Sequence, residues 1–128
     1  MPVYTWTAQE GTFSEDQKKA LAKIVTETHW RATGAPRNLV RVVFNTYPAG
    51  SCFVGGTTSA GVFLLCQIRK GRPMDSKQWI MKQLNDAAVM IGGISGDAIT
   101  IILEEIPSGH GMEFGAILAE AAPEQETQ

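Results

Sequence analysis

The chain has 128 residues, with 11 basic and 13 acidic side chains, a formal charge of −2, and 44% hydrophobic residues. That length predicts one domain with a real core, and the absence of a basic excess argues against nucleic acid as a partner. No apolar run reaches the ~18 residues of a membrane span. The opening residues lack the basic and apolar regions of a secretion signal, and Cys52 and Cys66 lack metal or CxxC spacing, so a cytoplasmic protein without a membrane partner or metal is expected.

Residues 2–8 are β-branched and aromatic and read as a strand. Ser14 opens a helix, with Gln17 at capping-box spacing. Leu21, Ile24, Val25 and Thr28 supply its apolar stripe, and Gly34 closes it. Residues 39–46 form a second strand. Residues 62–68 are a nearly continuous apolar run, as in a strand covered on both faces. Pro73 suits the start of a second helix. Ile80, Leu84, Ala87, Ala88 and Ile91 carry that helix's stripe, and Gly92-Gly93 stop it. Residues 98–103 form the fourth strand.

The second set repeats the first at an offset of 59: Val3 matches Val62, Ser14 matches Pro73, and Gly34 matches Gly93. The pattern predicts an α/β (α+β) fold of two consecutive βαβ units, about 2–46 and 61–105, within one domain over 1–118. The four strands would form one sheet with both helices on one face, leaving 119–128 as a polar tail. Along the second strand, Val40, Val42 and Phe44 face one way and Arg41, Val43 and Asn45 the other. Neither side is fully polar, so the bare face of the sheet calls for cover by self-association, most simply a closed ring. Residues 47–61 read as a turn-rich connection with a short hairpin, and 107–115 as a glycine-rich turn.

Four places could carry chemistry. Initiator methionine is removed when a small residue follows, so Pro2 could present a secondary amine at the end of a buried strand. Burial would lower its pKa toward neutrality and suit it as a general base. A proline here can also simply protect the terminus. Arg69 and Arg72 flank a strand end and a helix start, where guanidinium forks and the helix N-terminus suit an anion. Taken in isolation, such a pair reads more readily as solvated charge at a strand-to-helix turn. His29, near the apolar side of the first helix, is either a hydrogen-bonded core residue or a site group. Glu113 lies in the glycine-rich segment, as a carboxylate able to activate water or as an ordinary surface glutamate. His110 has no partner at metal spacing and takes no role. Gly55 to Gly61 looks phosphate-friendly, but no P-loop lysine follows, and GxGxxG, HExxH and GxSxG are absent.

The combination of Met1-Pro2-Val3-Tyr4, His29, Phe44-Asn45, Pro48-Ala49-Gly50, Gly55-Gly56, Arg69-x-Gly-Arg72 and Met112-Glu113-Phe114-Gly115 resembles the tautomerase superfamily, and within it the cis-3-chloroacrylic acid dehalogenase group. The resemblance covers about residues 1–118. It implies a tautomerase fold, a homotrimer, a small carboxylic acid as substrate, and no cofactor. It gives Pro2 the role of catalytic amine, Arg69 and Arg72 that of carboxylate binders, His29 that of positioning substrate or water, and Glu113 that of activating water. The family's catalytic tyrosine falls on Ile102, which cannot donate a hydrogen bond.

Three functions follow as expectations. The first is a cofactor-independent tautomerase or isomerase acting on enol or unsaturated carboxylic acids. The second is a hydratase or dehalogenase of 3-substituted acrylates or propiolates, and the third a trimeric binding protein without catalysis.

Overall fold

Burial alternates strictly along β1 (Val3–Gln9): Tyr4, Trp6 and Ala8 are buried, while Val3, Thr5 and Thr7 face the other way and are half-buried. In the computed structural model, which describes residues 1–119, this strand and three others form one sheet. Chain order is β1, α1 (Glu15–Thr33), β2 (Arg41–Tyr47), a hairpin of β3 (Phe53–Val54) and β4 (Thr57–Thr58), and then β5 (Val62–Arg69). There follow α2 (Met74–Met90), β6 (Ile99–Ile106), and a second hairpin of β7 (Met112–Glu113) and β8 (Ala116–Ile117).

The sheet order is β2-β1-β5-β6. β1 runs parallel to β2 and β5 parallel to β6, as two βαβ units require, while the central β1–β5 pair is antiparallel. The offset of 59 reaches further than the strands and helices. Both hairpins obey it, and so do the 3-10 turns at Arg37–Leu39 and Gly96–Ala98.

Local chemistry accounts for the boundaries. Ser14 caps α1 through a reciprocal capping box with Gln17, and Gly34 closes it in the left-handed conformation at φ 74°. Pro73 stands as the N-cap of α2, one residue outside the helix. β2 starts at Arg41 and not at 39, because Pro36 accepts from the Leu39 N–H and Arg37 from the Val40 N–H, winding 37–39 into a 3-10 turn. β6 runs to Ile106, past the expected end at Leu103. Its charged residues are partnered there, Glu104 by Gln67 at 2.9 Å and Glu105 by Lys77 at 3.1 Å. The segment 107–115 holds the first strand of a hairpin as well as turns.

The core lies between the sheet and the two helices. Trp6, Leu21, Val25, Leu64, Ile68, Ile80 and Leu84 are fully buried there, and Trp6, Phe13 and Phe44 form an aromatic cluster. Burying such side chains contributes roughly 1.5–3 kcal/mol each against leaving them in water. Among the described residues, the opposite face carries no helix. Register aligns Val43, Thr5, Leu65 and Ile102 in one row across it, with Val43 and Ile102 exposed. Cys66 is buried and Cys52 half-buried, both as free thiols. No helix of the described residues is long and apolar enough to cross a membrane. Apart from Ala119, the tail 119–128 lies outside the described residues.

Candidate active site

The antiparallel register pairs Val3 with Gln67. Continued past Val3, it runs Pro2 and Met1 alongside Ile68 and Arg69, so the chain start meets the strand end from which the loop to Arg72 departs. Pro2 is fully buried, and its carbonyl accepts from the Arg41 N–H at 3.1 Å. The terminal ammonium of Met1 contacts one oxygen of Glu113. Arg41 contacts the other through Nη1. Burial holds the amine below its ordinary pKa. Glu113 pulls it back up, and Arg41 and Arg69 push it further down.

Glu113 reaches this position through its hairpin. Both residues of the β7–β8 turn, Phe114 at φ 52° and Gly115 at φ 77°, are left-handed. That geometry belongs to the tight hairpin turn whose twist matches the strands. In the β3–β4 hairpin the matching residues are both glycine, Gly55 and Gly56. Phe114 accepts a strain on the order of 1 kcal/mol there. Its exposed ring lies 5.6 Å from the Arg41 guanidinium.

Arg69 ends β5, and its Nε and Nη2 both donate to the carbonyl of Ala119, at 3.0 and 2.6 Å. Arg72 is only 8% exposed. Burial first, and the charge of Arg69 second, lower its pKa to about 10, while Tyr4 acts in the opposite sense. Of the two arginines, Arg72 is therefore not solvated surface charge.

His29 projects from α1 into the core at 1% exposure. Its Nδ1 lies 2.7 Å from the Tyr4 hydroxyl. Burial, then the charges of Arg72 and the chain terminus, depress its pKa to about 3, so the ring is neutral at physiological pH. Burial pushes the Tyr4 phenol up and the Cys66 thiol to about 12, which leaves that thiol inert.

All five residues singled out in the sequence thus gather at one end of the sheet: Pro2, His29, Arg69, Arg72 and Glu113. His110 is exposed in the turn before β7. Two further residues belong to this cluster, Arg41 and Tyr4. Arg41 stands opposite Val3 in the β1–β2 register, and Tyr4 alternates inward with Trp6. Ile102 is 59% exposed on the bare face. A surface cleft of about 430 Å³ between α1 and α2, lined by Arg31, Asp75 and Trp79, contains none of the cluster. Among the described residues no group of three or more His, Cys, Asp or Glu could hold a metal ion.

Two βαβ units sharing one sheet, with the chain start set at a strand end beside two arginines, define a β-α-β tautomerase fold. The chain belongs to the tautomerase superfamily, in the family described as "Putative oxalocrotonate tautomerase enzyme", whose model matches residues 1–93. Glu113 lies beyond that match. A "Probable tautomerase" of Streptococcus pneumoniae serotype 4 is 54% identical over 41 residues, which are 32% of this chain and 68% of the relative. The crystal structure of N1, a member of the cis-3-chloroacrylic acid dehalogenase family, superposes with a TM-score of 0.88 at 27% identity. It covers 97% of this chain and 88% of N1. A fused 4-OT, solved as an asymmetric trimer, shares the fold at a TM-score of 0.83 and 20% identity, over 90% of this chain and 94% of that one. Family membership supports tautomerase-type activity.

Proposed function

We propose that the chain is a cofactor-independent tautomerase of small enol or unsaturated carboxylic acids, with Pro2 as general base once Met1 is removed. The observation that carries this reading is the convergence of buried Pro2, Glu113, Arg69, Arg72 and neutral His29 on one end of the sheet, where the terminal amine of Met1 contacts Glu113. Arg69 and Arg72 bind the substrate carboxylate, which exchanges for the Ala119 carbonyl now held by the Arg69 fork. The neutral amine takes the hydroxyl proton of a 2-hydroxy-2,4-dienoate. Its electron pair moves into the diene, and the ammonium returns the proton to carbon, leaving a 2-oxo acid. The two guanidinium groups stabilise the negative charge that develops between these transfers. Every proton removed is returned, so no other reactant is consumed.

Glu113 favours a second, weaker activity. A carboxylate beside the mature amine would activate water for addition to a 3-substituted acrylate or propiolate, with Pro2 then delivering the proton. Ile102, at the position of the family tyrosine, gives no hydrogen bond to that water.

Residues 1–118 act as one domain of two units, and the row Val43–Thr5–Leu65–Ile102 is covered in a homotrimer. The trimeric fused 4-OT supports that assembly. Free thiols at Cys52 and Cys66 suit the reducing cytoplasm.

Intact-mass analysis of active protein, paired with phenylenolpyruvate turnover by wild type and Pro2→Ala, tests the reading. Expected are loss of Met1 and a drop of about 10²-fold or more in kcat/KM for Pro2→Ala. Full activity with Met1 retained would overturn the proline-base mechanism.

A further inference from the structure

Tyr4 and His29 are both almost wholly excluded from solvent, with the phenolic oxygen 2.7 Å from Nδ1 and the rings edge to face at 5.7 Å. Two placements of hydrogen satisfy that contact for a neutral imidazole. In one, Tyr4 donates its O–H to Nδ1 and the ring hydrogen sits on Nε2. In the other, Nδ1–H donates to the phenolic oxygen, so the phenolic hydrogen and the Nε2 lone pair both go unmet.

Nε2 is buried and has no hydrogen-bond partner among the described residues. The first placement leaves one buried polar group unsatisfied and the second leaves two. Each such group carries a desolvation penalty, so the first placement is favoured. An unmet buried N–H close to the charge of Arg72 suits an acceptor oxygen arriving with a ligand.

We propose that Tyr4 is a positioning residue that fixes His29 as the Nε2–H tautomer, so that the imidazole offers substrate a hydrogen-bond donor and not a base. The role toward substrate rests on His29 belonging to the proposed site, whereas the tautomer does not. With its Nδ1 lone pair taken by Tyr4 and a hydrogen on Nε2, His29 cannot draw a proton from water. That step is left to Glu113.

Nitrogen-15 NMR of the full chain labelled at histidine reads the tautomer directly, with His110→Gln separating the two histidines. In wild type the protonated-type shift is expected on Nε2 and the unprotonated type on Nδ1, unchanged down to about pH 5. Tyr4→Phe, which removes only the oxygen, should move the Nδ1 line and lower kcat/KM about tenfold, the loss of one hydrogen bond.

A protonated Nδ1 in wild type, or identical spectra for Tyr4→Phe, would overturn the proposal. The wild-type spectrum decides the tautomer even if Tyr4→Phe fails to fold. For the donor role, His29→Gln keeps an N–H about where Nε2 stands and should stay within about tenfold of wild type, whereas His29→Leu should lose about 10²-fold. Equal losses in the two variants would overturn the donor role. If Pro2→Ala proved fully active, the base mechanism would fall while the NMR result stood unaffected.

Discussion

Arg41 and Glu113, 72 residues apart in the chain, meet as an ion pair beside the first residue. The second oxygen of the same carboxylate holds the terminal ammonium. One acid thus serves two cations. The proton affinity of the amine depends on how that acid is shared between them.

In the proposed processed chain the Pro2 amine takes the place of the Met1 amine beside Glu113 and Arg41. Replacing Arg41 with Gln then removes a charge that lowers the terminal amine's pKa and leaves Glu113 wholly to the ammonium. Both changes raise the pKa, so the amine stays protonated to higher pH. The acid limb of kcat/KM for tautomerisation should move to higher pH. Arg41→Lys should restore most of the wild-type profile. A pH–rate profile unchanged in Arg41→Gln would show that the pair does not tune the amine.

Glu113→Gln works in the opposite sense. Glu113 raises the amine's pKa, so its loss should shift the acid limb of tautomerisation downward and leave the plateau rate nearly intact. Water addition to a 3-haloacrylate should fall by about 10²-fold or more, because the activating carboxylate is gone. Comparing both rates on one preparation checks this, and parallel losses would argue against a separate role in water activation.

His29 ties stability to pH. Its folded-state pKa of about 3 lies below the ordinary 6.5 of the unfolded chain, so between those values the unfolded state binds the extra proton. The contribution is fully present above pH 6.5 and declines as pH falls toward 3, by at most about 1.4 kcal/mol per pH unit. Urea midpoints measured across that window should drop toward acid, and less steeply in His29→Gln.

Gly92 is required for space. A Cβ there would lie 2.7 Å from the Ala88 carbonyl oxygen and 2.7 Å from a ring carbon of Phe13, and neither can retreat without moving α2 or the aromatic cluster. Gly92→Ala should cost about 1–3 kcal/mol, the usual range for overpacking. Thermal unfolding of the variant against wild type measures it. At Gly93, φ is 67° and the space is open, so the demand there is on the backbone.

Ile102→Glu places a charge in the apolar row opposite Leu65. In the proposed trimer this buries an unpaired carboxylate, at a cost that should dissociate the assembly. Sedimentation equilibrium should show a trimer for wild type and monomers for the variant. A wild-type monomer would refute the assembly itself.

The elements were legible where local chemistry decides them. The Ser14–Gln17 capping box, Gly34 and the alternation of β1 each carry their own signal, and the offset of 59 exposed the repeat. The end of β6 was hidden because Glu104 and Glu105 are stabilised by Gln67 and Lys77, on other elements. Arg41 and Tyr4 escaped for the same reason. Nothing local to Arg41 reveals a carboxylate 72 residues on, and nothing local to Tyr4 reveals an imidazole 25 residues on. The hairpin of β7 and β8 was obscured by Phe114, a bulky residue at a left-handed position where the first hairpin has glycine.

The offset also decides how many reactive centres a chain of this plan can hold. Carried across it, Pro2 falls on Gly61, His29 on Ala88, and Glu113 on Val54, while Arg69 and Arg72 fall back on Glu10 and Phe13. The nitrogen of Gly61 is locked in a peptide bond, and no side chain of the counterpart set could replace the lost functions. The two halves share a scaffold and each supplies part of the proposed site, Pro2 and His29 from the first and Arg69, Arg72 and Glu113 from the second, while the reciprocal set is missing. A homotrimer should therefore bind three equivalents of a carboxylate inhibitor, with the three blank ends of its sheets left to structural duty.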